Sequence, residues 1–160
     1  MQRMDKTNYY LDIAETVSRR STCIRRCYGA IIVRSDEIIS TGYNGAPRGR
    51  KNCVDLGRCL RDELKIPSGE RYELCRSVHA EANAIISAAR RDTIGGTLYL
   101  AGHNAKTGEL LSDAAPCSMC RRLIINAGIV EVVCRVGENE YVKYDVDEWI
   151  KQDDSLYMED

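Results

Sequence analysis

The chain switches between two hydrophobic periods, and each switch marks an element. "TNYYLDIAETVSRRS" repeats apolar Tyr10, Ile13, Ala14 and Val17 at helical spacing and predicts an N-terminal helix capped by Thr7 or Asn8. "CYGAIIVRSDEIISTGYNG" holds two β-branched runs around the polar "RSDE", which predicts an antiparallel hairpin. Gly and Pro in "YNGAPRGR" end that pattern. From Lys51 to Arg76 the chain is charged and cysteine-studded, with weak helical character and an "IPSGE" turn. A connection of that length is usually functional or separately stabilised.

"SVHAEANAIISAARR" predicts one helix from a Ser77 cap, with Ala84, Ile85, Ala88 and Ala89 on a single face. "GGTLYLAG" and "IVEVVCRV" predict strands. Between them "PCSMCRRLIINAGI" predicts a helix with Pro116 in its first turn and Gly128 as its stop. "DVDEWIKQ" predicts a closing helix. Strands alternating with helices after a hairpin predict a layered α/β domain, a mixed sheet with helices on both faces. Residues 1–160 read as one domain without internal repeats, and 46–76 as a cysteine-containing insertion within it.

Composition narrows the class. Apolar residues make up 44% and charged residues 29% of 160, as in soluble globular proteins. A formal net charge of −1 supplies no basic field for nucleic acid. No apolar run is long enough to span a bilayer, and "MQRMDKTNYY" lacks an apolar signal region, so a cytoplasmic address without membrane partners is expected. In that reducing setting the 8 cysteines read as metal ligands, catalytic groups or buried thiols.

Cys117 and Cys120 lie at i and i+3 and share a helix face. At a helix start, unpaired N–H groups and the dipole favour thiolate, so the pair can fill adjacent corners of a tetrahedron around Zn²⁺. His79 is the candidate third ligand. Cys₂His leaves a fourth position for water, the pattern of a catalytic zinc site. Glu81, two residues beyond His79, is turned from the imidazole yet within reach of that water, suited to carry protons. The plainer readings are two buried thiols with a surface histidine, or a structural zinc, which would want a fourth protein ligand and give Glu81 no task.

H-x-E opening one helix and P-C-x-x-C opening another is the known signature of the zinc-dependent nucleobase deaminases, which "HAEANAI" and "APCSMC" resemble. "YGAIIVRSDEIISTGYNGAPRG", "CRSVHAEANAI" and "PCSMCRRLIINAGI" together resemble the deoxycytidylate (dCMP) deaminases of that superfamily, from about Tyr9 to Val136. The resemblance implies a three-layer α/β/α cytidine-deaminase-like fold and hydrolysis of dCMP to dUMP and ammonia, supplying dUMP for thymidylate synthesis. It implies that His79, Cys117 and Cys120 hold the zinc, that zinc-bound hydroxide attacks C4, and that Glu81 shuttles protons. It implies contacts to the nucleotide from Asn44 and from backbone near Ala80, Ala115 and Pro116. It also implies hexamers regulated by dCTP and dTTP, the triphosphate carrying Mg²⁺, with Gly42, Tyr43 and Gly45 as allosteric candidates. Deaminases of cytidine or guanine, a tRNA-type deaminase and an inactive zinc-binding module are the alternatives.

Some members of the family carry a second, structural zinc whose cysteines resemble Cys23 and Cys53. Here Cys23, Cys53, Cys59 and Cys75 would form a closed Cys₄ site, with Cys27 the alternative fourth ligand and free buried thiols the plainer reading. Cys134, inside an apolar strand, reads as core. Arg25, Arg26, Arg48 and Arg50 are the candidates for a 5′-phosphate, and Tyr141 and Tyr144 could cover the pocket or pack the C-terminal region. Arg121 is a candidate donor to a zinc thiolate.

Overall fold

The computed structural model describes residues 2–152. Five strands form one mixed sheet, β1 (Arg26–Arg34), β2 (Glu37–Tyr43), β3 (Thr97–Asn104), β4 (Glu131–Gly137) and β5 (Glu140–Asp145), in the order β2-β1-β3-β4-β5. The expected hairpin is there: Ser35 and Asp36 both take positive φ, and Arg34 pairs with Glu37 across a two-residue turn. β1 pairs antiparallel with β3, β3 parallel with β4, and β4 antiparallel with β5. The parallel step is made by helix α6 (Ser118–Asn126), which crosses between β3 and β4.

Alternation along β1 sorts the two faces. Ile31 and Val33 join Tyr10 and Ala14 of α1 (Lys6–Ser18) and Ala101 on one side. Ala30 and Ile32 join Ala80 and Ala84 of α4 (Ala80–Ile86), Ile124 of α6 and Val146 of α7 (Val146–Lys151) on the other. Three layers result, as expected for α/β/α. Glycine sets how closely the layers approach. A Cβ on Gly29 would stand 2.0 Å from the Ala14 carbonyl oxygen of α1, and one on Gly42 would stand 2.3 Å from the Ala84 nitrogen of α4. Across the sheet, Arg135 of β4 is only 3% exposed and grips α1: it pairs with Asp12 at 2.5 Å and Glu15 at 3.1 Å and donates to Asn8.

Several boundaries depart from the pattern. Asp5, not Thr7 or Asn8, caps α1, its carboxylate accepting from the Asn8 N–H at 2.9 Å. The helix expected over 77–91 is two pieces. Val78 exchanges both backbone hydrogen bonds with Gly45, so α4 starts only after His79. At its other end Ala89 is extended and α5 (Arg90–Thr93) turns aside, where Arg90 and Thr93 donate to the Asn126 and Ala127 carbonyls that end α6. α6 starts at Ser118 with Cys117 as its N-cap, which leaves Pro116 one residue outside the helix rather than in its first turn. Gly128, at φ 74°, stops it as expected.

β5 was not anticipated, because "EYVKYD" is an exposed edge strand with no apolar period. It removes Tyr141 and Tyr144 from the role of pocket cover: Tyr144 packs on Trp149 instead. Within 46–76, short helices α2 (Cys53–Leu56) and α3 (Leu60–Glu63) and a 3₁₀ turn at Tyr72–Leu74 break up the charged stretch. No described helix is long and apolar enough to cross a membrane.

Because Gly29 and Gly42 meet helix backbone rather than movable side-chain tips, Gly29→Ala and Gly42→Ala should each lower stability by about 1–3 kcal/mol. Urea denaturation is the measurement, and an unchanged midpoint would contradict these close approaches.

Candidate active site

Two helix starts meet at one end of the sheet. His79 is the N-cap of α4 and Cys117 the N-cap of α6, both with extended backbone. Cys120 follows in the first turn of α6 and is fully buried. The bridge from Gly45 to Val78 and the seating of α4 on Gly42 fix where His79 stands. His79, Cys117 and Cys120 offer ligand atoms all within 4.8 Å of one another, and among the described residues this is the one such group of three.

The spacing suits a tetrahedral ion. The His79 Nδ1 atom lies 3.6 Å from Cys117 Sγ and 3.4 Å from Cys120 Sγ. Zinc–sulfur bonds of about 2.3 Å and zinc–nitrogen bonds of about 2.0–2.1 Å at the tetrahedral angle separate S from N by about 3.6 Å. The donor set, two thiols and an imidazole, is also one that zinc prefers.

The electrostatics point the same way. Cys117 is shifted well below the usual thiol range, first by the hydrogen bond from Cys120 and then by that from His79. Cys120 is pushed the other way by the same neighbour, by burial and by Glu81, so the pair readily carries one negative charge and resists a second. A divalent cation is what would stabilise both thiolates. Glu81, at the second position of α4, is 5% exposed. Burial raises its pKa, opposed by its own backbone amide and by His79. It is not one of the three grouped ligands.

A cavity of about 120 Å³ opens beside this group, lined by Tyr28, Asn44, Tyr72, Ser77, Leu100 and Ala115 together with His79, Ala80, Glu81 and Cys117. Ala80 and Ala115 thus face the cleft, whereas Pro116 is buried and not part of its lining. Asn44 also faces it, but its side chain has structural work. Its Oδ1 accepts from the Tyr28 N–H at 2.8 Å and from Ser21 Oγ at 2.6 Å, while Nδ2 donates to the Arg26 carbonyl at 2.8 Å. Gly42 and Gly45 are buried in backbone contacts, and of the three allosteric candidates only Tyr43 is exposed.

The arginines fall into groups. Arg25 and Arg26 line the cleft but are paired, with Asp62 at 3.1 Å and Asp113 at 3.2 Å. Arg48 and Arg50 are exposed and lie outside the lining. Arg121 does not meet a thiolate as anticipated: it donates to the Pro116 carbonyl and covers the Trp149 ring at 4.9 Å. Arg61 and Tyr72 escaped the sequence reading, because nothing in "CLRDELKIPSGERYELC" distinguishes them from a solvated face.

Cys23, Cys59 and Cys75 line the cleft, and Cys53 is buried close enough to feel all three. Cys23 Sγ and Cys75 Sγ each accept the backbone N–H two residues on, at 3.4 Å. No three of these sulfurs meet within the spacing that the His79 group satisfies. Cys27 and Cys134 are buried, Cys134 in the main core.

The match to known proteins follows the geometry. Residues 4–136 match the family model described as the cytidine and deoxycytidylate deaminase zinc-binding region. The chain is 39% identical over 137 residues to the deoxycytidylate deaminase of Mycobacterium phage D29, covering 83% of this chain and 96% of that one. It is 36% identical over 132 residues to the deoxycytidylate deaminase of Schizosaccharomyces pombe, covering 82% of this chain but only 37% of the yeast protein. The crystal structure of dCMP deaminase from the cyanophage S-TIM5, in complex with dCMP and dUMP, superposes with a TM-score of 0.58 at 27% identity, covering 83% of this chain and 84% of that one.

Asn44→Ala should leave the buried Tyr28 N–H without its acceptor and cost about 1–3 kcal/mol. Thermal denaturation checks this; a variant that keeps full stability and loses only substrate affinity would show the side chain serving substrate alone.

Proposed function

We propose that this chain, which belongs to the cytidine and deoxycytidylate deaminase family, hydrolyses dCMP to dUMP and ammonia. The observation that carries the reading is the His79–Cys117–Cys120 triangle with a buried carboxyl, Glu81, at its side. Its phage relative of nearly equal length bears the name deoxycytidylate deaminase, and the cyanophage homologue was crystallised with dCMP and dUMP.

When bound by His79, Cys117 and Cys120, zinc supplies a Lewis acid that acidifies water near neutral pH. The rest of the chemistry belongs to the chain. Hydrolysis forms a C4–O bond and breaks the C4–N bond of the cytosine ring. Glu81 accepts the proton released by the attacking water and donates it to N3. It then takes the proton of the new hydroxyl and passes it to the amino group, which leaves as ammonia. Burial favours the neutral form of Glu81, which suits a carboxyl that must donate as well as accept a proton. Tyr28, Leu100 and the first residues of α4 line the cleft in which the ring would sit. The product would enter thymidylate synthesis.

The proposal extends in three directions. A structural zinc at Cys23, Cys53, Cys59 and Cys75 is supported by their proximity and by the N–H bonds to two sulfurs, and needs the thiols to draw closer than they stand. Regulation by dCTP and dTTP with Mg²⁺ would enter at Tyr43, since the Gly45–Val78 bridge couples that loop to His79. Assembly into a hexamer is consistent with Met119 and Leu123, exposed one turn apart on α6.

Ammonia release from dCMP, deoxycytidine, cytidine and guanine tests the reading, and turnover of guanine or cytidine in preference to dCMP would replace it. Glu81→Gln should retain zinc and lose about 10²–10⁴-fold in kcat; an active variant would remove Glu81 from proton transfer. Metal analysis should give two zincs per chain, and a single zinc would remove the four-cysteine site.

A further inference from the structure

We propose that Arg61 is the residue that receives the 5′-phosphate, and that its unpaired charge selects nucleoside monophosphates over nucleosides. The inference rests on the nucleotide reading of the same cleft.

Arg61 is a cation in the wrong surroundings for a merely solvated side chain. It is 7% exposed and lines the cleft. Among the described residues no carboxylate oxygen lies within 4.0 Å of its guanidinium, whereas Arg25 and Arg26 on the same rim are each paired. A buried charge without a counter-charge is costly, and a bound anion would relieve it. The group is nevertheless held firmly. Its Nε donates to the Glu70 carbonyl at 3.2 Å and its Nη2 to the Pro67 carbonyl at 3.0 Å, and the guanidinium covers the Tyr72 ring at 4.5 Å. Those bonds use two of the five guanidinium protons. The remaining three form a fork of the kind that binds phosphate oxygens bidentately.

Its position fits the ligand. Tyr72 meets the His79 ring edge-on at 4.8 Å, so one aromatic ring separates Arg61 from a metal ligand. A pyrimidine nucleotide has the same polarity, with the reacting ring at one end and the phosphate at the other. Ser77, on the lining between them in sequence, keeps a buried hydroxyl with no partner among the described residues, a second polar group awaiting a ligand. The cleft thus carries the His79–Cys117–Cys120 group with Glu81 and, one aromatic ring from His79, a buried cation with no carboxylate partner among the described residues.

Arg61 also ties down the turn at 67–70, and the test separates the two roles. Affinities for dUMP and deoxyuridine are measured by calorimetry, and kcat and KM for dCMP and deoxycytidine by ammonia release, on the unaltered protein and on Arg61→Gln. Affinity for dUMP should fall on the order of a hundredfold while that for deoxyuridine stays unchanged. The kcat/KM for dCMP should fall alike, through KM. Equal losses for dUMP and deoxyuridine, the result of a turn that merely loosens, would overturn the proposal. The binding arm needs no turnover, so a protein that deaminates none of these substrates but favours dUMP through Arg61 would sink the deaminase reading and leave this one standing. If Arg61→Gln does not fold, a dUMP complex of the unaltered protein decides: phosphate on Arg61 supports the assignment, and phosphate on Arg25, Arg26, Arg48 or Arg50 removes it.

Discussion

A helix can begin only where its backbone is free of other partners, and one short bridge uses that rule to build the site. Val78 gives both its N–H and its C=O to Gly45, so the residue that follows becomes the N-cap of α4. That residue is His79. The same helix lies on Gly42 with no room for a methyl group between them, which fixes its height above the sheet. Cys117 occupies the equivalent position on α6, so two helix starts, each with dipoles favouring anions, face a common point. The ligand triangle is therefore a property of backbone hydrogen bonding before it is a property of side chains.

Much of this was legible in the sequence, and the reasons differ by element. The hairpin was written in β-branched runs around a polar turn, and the grouping of His79, Cys117 and Cys120 in their spacing and helix context. The interruption between α4 and α5 was hidden, because Ala88 and Ala89 are good helix formers and only tertiary contacts to the end of α6 override them. β5 was hidden because edge strands are polar by necessity. For Asn44 the resemblance pointed to a nucleotide contact, and nothing in the sequence announced the three hydrogen bonds by which it holds the start of β1. Arg61 had no signal at all, since burial of a cation is decided by the path of a loop that has no period.

The ionisable groups of the cleft are shifted by burial and by one another. Burial shifts Glu81 toward its neutral form, and Cys117 and Cys120 compete for a single charge. Burial leads for Glu81 and mutual hydrogen bonding for the two thiols, which makes the whole arrangement sensitive to what fills it.

Arg135 has a mechanical consequence. By gripping Asp12, Glu15 and Asn8 from β4 while Gly29 of β1 presses on Ala14, the sheet holds α1 at two anchorages separated by β3. A strut fastened at both sides resists shear between the strands it crosses. His79 and Cys117 stand at helix starts packed on the other face of that braced platform, so rigidity under α1 limits how far the two starts can drift apart.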